Sequence, residues 1–193
     1  MKTSTIRRFI AAAAVAAMLT GCAAPAKQSE TSEISTQSQQ SQAAASSAPA
    51  QEMTFTDALG YTVQLSGWDR VASLYGSFAE TWVLAGGSLV GATVDAVEER
   101  GMELGDGVAL LGSVKEPNLE EIIAADPDFL ILSADIAAQV DMHDALTSAG
   151  IPHAYYRVDG VSDYLAMLEQ FCQMTGREDL YEENGLAVQA EVD

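Results

Sequence analysis

Short apolar runs alternate with helical patterns over residues 53–193 of this chain. The clearest run, residues 128–132, lacks the polar–apolar alternation of a half-exposed strand and is typical of a parallel strand buried on both faces. Further strands are predicted at residues 70–74, 89–93, 108–111 and 151–157, and helices at residues 77–85, 118–125, 135–149, 162–175 and 179–193. This alternation predicts an α/β fold in which a mostly parallel sheet is covered by helices. Residues 54–56 and 61–65 flank a turn and predict a β-hairpin before the sheet.

The first 21 residues have the layout of a secretory signal peptide. Three basic residues precede an apolar stretch that is too short to span a membrane as a helix, which needs ~20 apolar residues. The sequence Leu-Thr-Gly-Cys, ending at Cys22, resembles the lipobox of bacterial lipoproteins, in which the cysteine is acylated and begins the mature chain. We therefore expect residues 1–21 to be removed and Cys22 to anchor the protein to membrane lipid on the extracytoplasmic side. A plain secretory signal with a chance cysteine is the alternative.

Residues 22–52 predict a disordered tether. They consist mainly of Ala, Ser, Gln, Thr and Glu and contain almost nothing large and apolar, so they cannot bury enough surface to fold. About thirty such residues have a root-mean-square reach of about 30 Å. The folded part is then expected over residues 53–193, which is the length of one ordinary domain.

Charge and motifs exclude several functions. The 193 residues include 28 acidic and 9 basic side chains, for a formal net charge of −19, so a nucleic-acid backbone would be repelled. Two cysteines are too few for a disulfide-rich scaffold or a cysteine-rich zinc module. The sequence carries no complete dinucleotide-binding, Walker or G-x-S-x-G motif. We therefore expect neither an enzyme nor a cofactor.

Polar and aromatic residues follow the predicted strands at the points where the strands end. In parallel sheets, ligands bind beyond these carboxyl ends. The candidate ligand-binding residues are Tyr75, Gly76, Ser77, Asp95, Val114, Lys115, Ser133, Asp135 and Arg157.

Several of these residues have a structural interpretation beside the functional one. Tyr75 can stack on a ligand, and Arg157 can pair with an anionic chelate. Ser77 and Asp135 could instead cap the helices that follow them. Arg157 and Lys115 could be solvated surface charges. The sequence leaves these alternatives open.

Four segments, in this order, resemble the ABC-importer substrate-binding proteins for iron–siderophores, haem and cobalamin. They are residues 70–80 (RVASLYGSFAE), 89–91 (LVG), 112–122 (GSVKEPNLEEI) and 126–132 (DPDFLIL). The resemblance implies an α/β lobe, a ligand cleft shared with a second lobe, and a rigid helix that joins the lobes. It also implies that Glu120 lies on the outer face and docks to the permease; helix-start electrostatics is the alternative role.

The resemblance covers residues 53–193, which is the length of one lobe. We expect the N-terminal substrate-binding lobe at residues 53–178 and the start of the interlobe helix at residues 179–193. We expect the second lobe to be absent, so that the chain is a fragment or a shortened gene product with weak or no ligand affinity.

The sequence thus predicts an extracytoplasmic solute-binding lipoprotein that delivers a ferric-siderophore-like complex to an ABC permease. The alternatives are a cobalamin or haem ligand, or a lone lobe that acts as a structural or interaction module. The two histidines, His143 and His153, fall in a predicted helix and near a predicted strand start. We therefore expect no shared metal site.

Overall fold

A computed structural model of the protein describes residues 52–192. The strands in this range are β1 (Met53–Thr56), β2 (Thr62–Leu65), β3 (Val71–Ser73), β4 (Leu89–Ala92), β5 (Ala109–Leu110), β6 (Gly112–Ser113), β7 (Glu116–Pro117), β8 (Phe129–Ser133) and β9 (His153–Tyr156). The helices are α1 (Gly76–Leu84), α2 (Asp95–Glu98), α3 (Leu119–Ala125), α4 (Ala137–Val140), α5 (His143–Ser148), α6 (Val161–Thr175), α7 (Glu178–Tyr181) and α8 (Ala187–Val192). The predicted signal peptide, Cys22 and nearly all of the predicted tether lie outside the described residues.

Five parallel strands form the central sheet in the order β5-β4-β3-β8-β9. All residues of β3 and β8 are buried, because these strands lie inside the sheet and both of its faces are covered. The predicted α/β architecture with a mostly parallel sheet is therefore confirmed.

Two apolar layers sandwich the sheet, since successive side chains of a strand point to opposite faces. In β8, Phe129 and Ile131 pack in the layer that includes α1 and α6, whereas Leu130 and Leu132 pack in the layer that includes α3 and α5. Trp82 of α1 is fully buried in the first layer. The helices are thereby fixed on both faces, and the loops at the carboxyl ends of the strands have rigid supports.

The predicted hairpin is confirmed as the antiparallel pair β1–β2, and its turn protects the edge of β9. The Ala58 amide donates to the Tyr155 carbonyl (2.9 Å), and the Tyr155 amide donates to Asp57 Oδ2 (3.2 Å). Asp57 Oδ1 also accepts the amides of Leu59 and Tyr61 within the turn. An edge strand exposes unpaired backbone groups, and this turn satisfies both groups of Tyr155.

The predicted continuous helix over residues 135–149 was wrong. The chain forms α4 and then α5, and the break falls at Asp141 and Met142. The Met142 amide donates to the carbonyl of Gln139, three residues back, which is the tighter 3₁₀ pattern. The α-helical pattern resumes in α5, where the Leu146 amide donates to the Met142 carbonyl, four residues back. The small β6–β7 hairpin was not predicted, because strands of two residues carry no periodicity.

The segment after α6 is helical, as predicted. It consists of α7, a π-helical turn (Glu182–Leu186) and α8. Asn184 Nδ2 donates to the Leu84 carbonyl at the end of α1 (3.1 Å), which fixes this turn against the lobe. The assignment of the segment to an interlobe helix stays a prediction. No helix in the stretch from residue 52 to residue 192 combines the length and apolar character needed to cross a membrane.

Candidate functional site

A cavity of about 730 Å³ lies at the carboxyl ends of β3, β8 and β9, and we call it the strand-end cavity. Tyr75 and Ser77 reach it from the segment after β3, and Ser133 and Asp135 from the end of β8. Residues 158–161 reach it from the segment after β9. The structure thus brings four of the predicted ligand-binding residues to one cavity, at the edge of the sheet where the sequence placed them.

The wall of the strand-end cavity is largely apolar and aromatic. Phe78, Tyr164 and Met167 contribute side chains to it from α1 and α6. The rings of Tyr75 and Phe78 meet edge to face, with centroids 4.9 Å apart and an interplanar angle of 87°. This contact supports the half-buried Tyr75 ring, so the ring can form a rigid contact surface for a ligand.

Tyr75 is presented by a tight turn after β3. The Ser73 hydroxyl donates to the Tyr75 carbonyl (3.0 Å), and its oxygen lies 3.3 Å from the Tyr75 amide. Tyr75 has extended backbone angles and is the N-cap residue of α1, which begins at Gly76, but its own side chain makes no capping hydrogen bond. The alternative in which Ser77 caps this helix is therefore wrong, and Ser77 instead lines the cavity.

Gly76 and Asp95 lie behind the cavity rather than on its wall. Both are buried, and the Gly76 amide donates to Asp95 Oδ2 (2.7 Å). A Cβ atom on Gly76 would come within 2.7 Å of the Ala96 amide nitrogen. Asp95 thus places a carboxylate at the N-terminus of α1, where the helix dipole favours negative charge. The two residues build the turn that presents Tyr75.

Gln139 was missed in the sequence and connects the loops around the cavity. Its side-chain amide is fully buried; Nε2 donates to the carbonyls of Leu74 (2.7 Å) and Val114 (3.1 Å), and Oε1 accepts the Ser133 amide (2.8 Å). Both amide hydrogens and the carbonyl are therefore satisfied. A single glutamine inside a helical pattern gives no sequence signal for this role.

Val114 and Lys115 lie in the β6–β7 turn and do not line the strand-end cavity. Val114 takes part through its backbone carbonyl, which accepts from Gln139. Lys115 is exposed to solvent. The structure therefore brings neither of these two side chains together with Tyr75 and Ser133.

Two exposed ion pairs lie at the rim of the cavity. Arg157 Nε donates to Asp135 Oδ1 (2.8 Å), and the guanidinium of Arg100 pairs with Glu80. The hydrogen bond and charge of Asp135 raise the pKa of Arg157 above its ordinary value. The alternative in which Asp135 caps a helix is wrong, because α4 begins only at Ala137 and has no side-chain cap.

The two histidines, which the sequence placed in a helix and near a strand start, are in contact with each other. His153 Nε2 lies 3.0 Å from His143 Nδ1, because the turn between α5 and β9 brings the start of the strand back beside the helix. The ring of Tyr61 stacks on His143, with centroids 4.1 Å apart. Burial lowers the pKa of His153 below its ordinary value.

The rings of Tyr61, His143 and His153 line a separate cavity of about 380 Å³. Within residues 52–192, no group of three or more His, Cys, Asp or Glu side chains is arranged to hold a metal ion.

Comparison with known proteins gives matches among solved structures only. No family model matches the chain, and no curated protein matches it. The siderophore-binding protein BauB, bound to acinetobactin and ferric iron, matches with a TM-score of 0.58 and 21% identity over 74% of this chain and 52% of BauB. The iron-uptake ABC transporter substrate-binding protein PiuA of Streptococcus pneumoniae matches with a TM-score of 0.54 and 24% identity over 71% of this chain and 49% of PiuA. A variant of the heme-binding protein HmuT matches with a TM-score of 0.54 and 20% identity over 70% of this chain and 44% of HmuT.

Each match spans about half the length of the matched structure. The part that matches is an α/β unit with a parallel sheet, which is the architecture described above. The resemblance seen in the four sequence segments is thereby confirmed at the level of the fold. The described residues have the fold of one lobe of the siderophore- and haem-binding class of periplasmic substrate-binding proteins.

Proposed function

We propose that this chain belongs to an extracytoplasmic solute-binding protein of an ABC importer and that its ligand is an organic iron complex of the siderophore type. The observation that carries the proposal is the strand-end cavity, which lies where ligands bind in parallel α/β sheets. Structures with the same fold include a protein that binds a ferric siderophore and a protein that binds heme. In this function the lobe captures and delivers a solute and carries out no chemical reaction.

The proposed ligand contacts are Tyr75, Ser77, Ser133 and Asp135, which line the cavity. An iron chelate has an organic periphery and oxygen atoms around the metal. The tyrosine ring offers a face for the periphery, while the two hydroxyls offer hydrogen bonds to oxygen atoms. Gly76 acts indirectly, because its close packing sets the position of the preceding Tyr75.

A binding experiment with the full chain tests this proposal. Ferric hydroxamates, ferric catecholates, haem and cobalamin are titrated into the protein and into its Tyr75→Ala variant. The sequence predicts weak or no affinity for a single lobe, but the described residues already form the cavity. We therefore expect a ferric chelate to bind weakly and the variant to lose at least tenfold in affinity, which is about 1.4 kcal/mol. Tyr61→Ala is the matched control, since this exposed tyrosine lies beside the other cavity. Binding of haem or cobalamin alone would change the assigned ligand.

Two results would contradict the proposal. One is that none of these compounds binds to the chain. The other is that Tyr75→Ala and Tyr61→Ala weaken binding equally, because a ligand in the strand-end cavity contacts only the first of these side chains.

Permease docking is proposed for Glu120. The side chain is exposed in the first turn of α3, and α3 precedes β8, so its N-terminus lies at the same end of the sheet as the cavity. Asn118 caps this helix: its Oδ1 accepts the amides of Glu120 (3.0 Å) and Glu121 (3.3 Å). This cap holds the helix start without the Glu120 carboxylate, which leaves that carboxylate free to meet a basic surface.

Charge reversal separates docking from helix stability. Glu120→Lys is expected to reduce solute uptake in cells while ligand affinity and thermal stability stay nearly unchanged. Glu169→Lys, at an exposed position of α6, is the control with the same change of charge. Uptake that is equal in the two variants would contradict docking through Glu120.

Membrane attachment is proposed through an acyl group on Cys22, from the lipobox-like sequence that ends there. Labelling cells with a fatty-acid analogue should mark the protein, and Cys22→Ala should abolish the label. Cys172→Ala is the control, because Cys172 is a buried free thiol. Label that persists in Cys22→Ala would contradict the proposal.

A further inference from the structure

We infer that the strand-end cavity takes an uncharged or cationic iron complex in preference to an anionic one. This inference rests on the proposed function. Three carboxylates and two guanidinium groups surround the cavity. The carboxylates are Glu80, Asp135 and Asp159, and the guanidinium groups are Arg100 and Arg157. The formal charge of these five groups is therefore negative, although they include Arg100 on the wall and Arg157 at the rim, which an anionic ligand would need.

Both arginines already have carboxylate partners. Arg100 Nε donates to Glu80 Oε2 (2.8 Å), with a second contact from Nη2 to the same oxygen. Arg157 Nε donates to Asp135 Oδ1 (2.8 Å). An anionic ligand that approached either arginine would therefore also meet the carboxylate that already offsets its charge.

The third carboxylate adds negative charge beside the second ion pair. Asp159 is exposed on the wall, and its charge acts on Arg157 in the same direction as that of Asp135. Asp163 lies next to it, and its Oδ2 accepts the amides of Asp159 (3.0 Å) and Gly160 (3.1 Å). The side of the cavity that follows β9 therefore repels an anion and attracts a cation.

The rest of the wall suits the same class of ligand. Tyr75 and Tyr164 present aromatic rings, which attract a cation over their faces and pack against an uncharged organic shell. The exposed ion pairs contribute little to stability, so their side chains can adjust around a ligand while the total charge of the wall is unchanged. The selection is thus made by the net charge of the wall.

Three iron(III) complexes of different charge test the inference on the full chain. They are the desferrioxamine B complex, which is a cation, ferrichrome, which is uncharged, and the enterobactin complex, which is an anion. By calorimetry, we expect at least tenfold tighter binding of the cation and the uncharged complex than of the anion. Added salt should reduce the advantage of the cation over the uncharged complex, because ions screen exposed charges.

Asp159→Asn is the informative variant, because it removes one negative charge from the wall. It should reduce the preference for the cation over the anion severalfold, whereas Asp144→Asn, an exposed carboxylate on α5, should leave the preference unchanged. Tighter binding of the anion would overturn the inference, and so would an equal effect of the two variants on the preference. Either result would leave the proposed function standing. Absence of binding by all three complexes would instead overturn the proposed function, and the inference with it.

Discussion

Asp95→Ala is expected to destabilise the lobe, because the aspartate holds the start of α1. Its Oδ2 accepts the Gly76 amide at 2.7 Å, and the side chain is only 6% exposed. Alanine removes the acceptor and leaves the Gly76 N–H buried at a helix N-terminus, without the carboxylate that compensates it. The same change also loosens the turn that carries Tyr75 into the strand-end cavity.

The size of the effect follows from two contributions. A hydrogen bond to a charged group contributes about 1.5–3 kcal/mol, and a carboxylate at a helix N-terminus about 0.3–1 kcal/mol. Removing the cost of burying the carboxylate offsets part of this sum. Asp95 Oδ1 adds to that cost, because no hydrogen-bond partner is found for it within residues 52–192. We therefore expect the free energy of unfolding to fall by about 2 kcal/mol.

Urea denaturation of the full chain measures this change. With a slope of ~1–3 kcal/mol per molar for a small domain, the midpoint should fall by about 1 M. Asp106→Ala is the control, because Asp106 is exposed in the loop before β5, and its midpoint should stay within the error of the wild type. Equal midpoints for Asp95→Ala and Asp106→Ala would refute the structural role assigned to Asp95.

Three further predictions concern two other buried side chains and the half-buried His153. Gln139→Leu should lower the free energy of unfolding by about 3 kcal/mol or more in urea titrations, since it leaves several buried backbone groups unpaired; a loss below about 1 kcal/mol would contradict this. Tyr156→Phe should leave the melting temperature equal or higher, because the buried hydroxyl has no partner within residues 52–192, and a clear drop would disprove it. Burial lowers the pKa of His153 below its ordinary value of 6.5. At a pH just below 6.5, the unfolded chain therefore binds more protons than the folded lobe. Stability should therefore fall as the pH falls below that value, and His153→Gln should weaken this dependence; an unchanged pH profile in the variant would contradict the assignment.

The central sheet was predictable because its strands carry a strong local signal. Residues 128–132 are apolar without interruption, and only a strand covered on both faces can bury such a run. The position of the cavity follows from the same reasoning, because parallel strands bring their carboxyl ends to one edge. Tyr75 and Ser133 could therefore be placed together before the tertiary structure was known.

The contacts that depend on tertiary structure were not predictable in this way. Asp95 and Gly76 are 19 residues apart, and no periodicity indicates that one caps the helix that the other begins. Gln139 is buried because three backbone groups from separate segments converge on it. The contact of His143 with His153 depends on where the helix breaks, which the helical pattern did not reveal.

The most direct test of the account is to locate a bound chelate on the lobe by NMR. Diamagnetic gallium(III) desferrioxamine B is titrated into the isotope-labelled chain, and the backbone amide signals are followed. The account predicts that the signals of Tyr75, Ser77, Ser133 and Asp135 shift together and follow one saturable binding curve. Shifts confined to the cavity beside Tyr61, or no shifts at all, would contradict it.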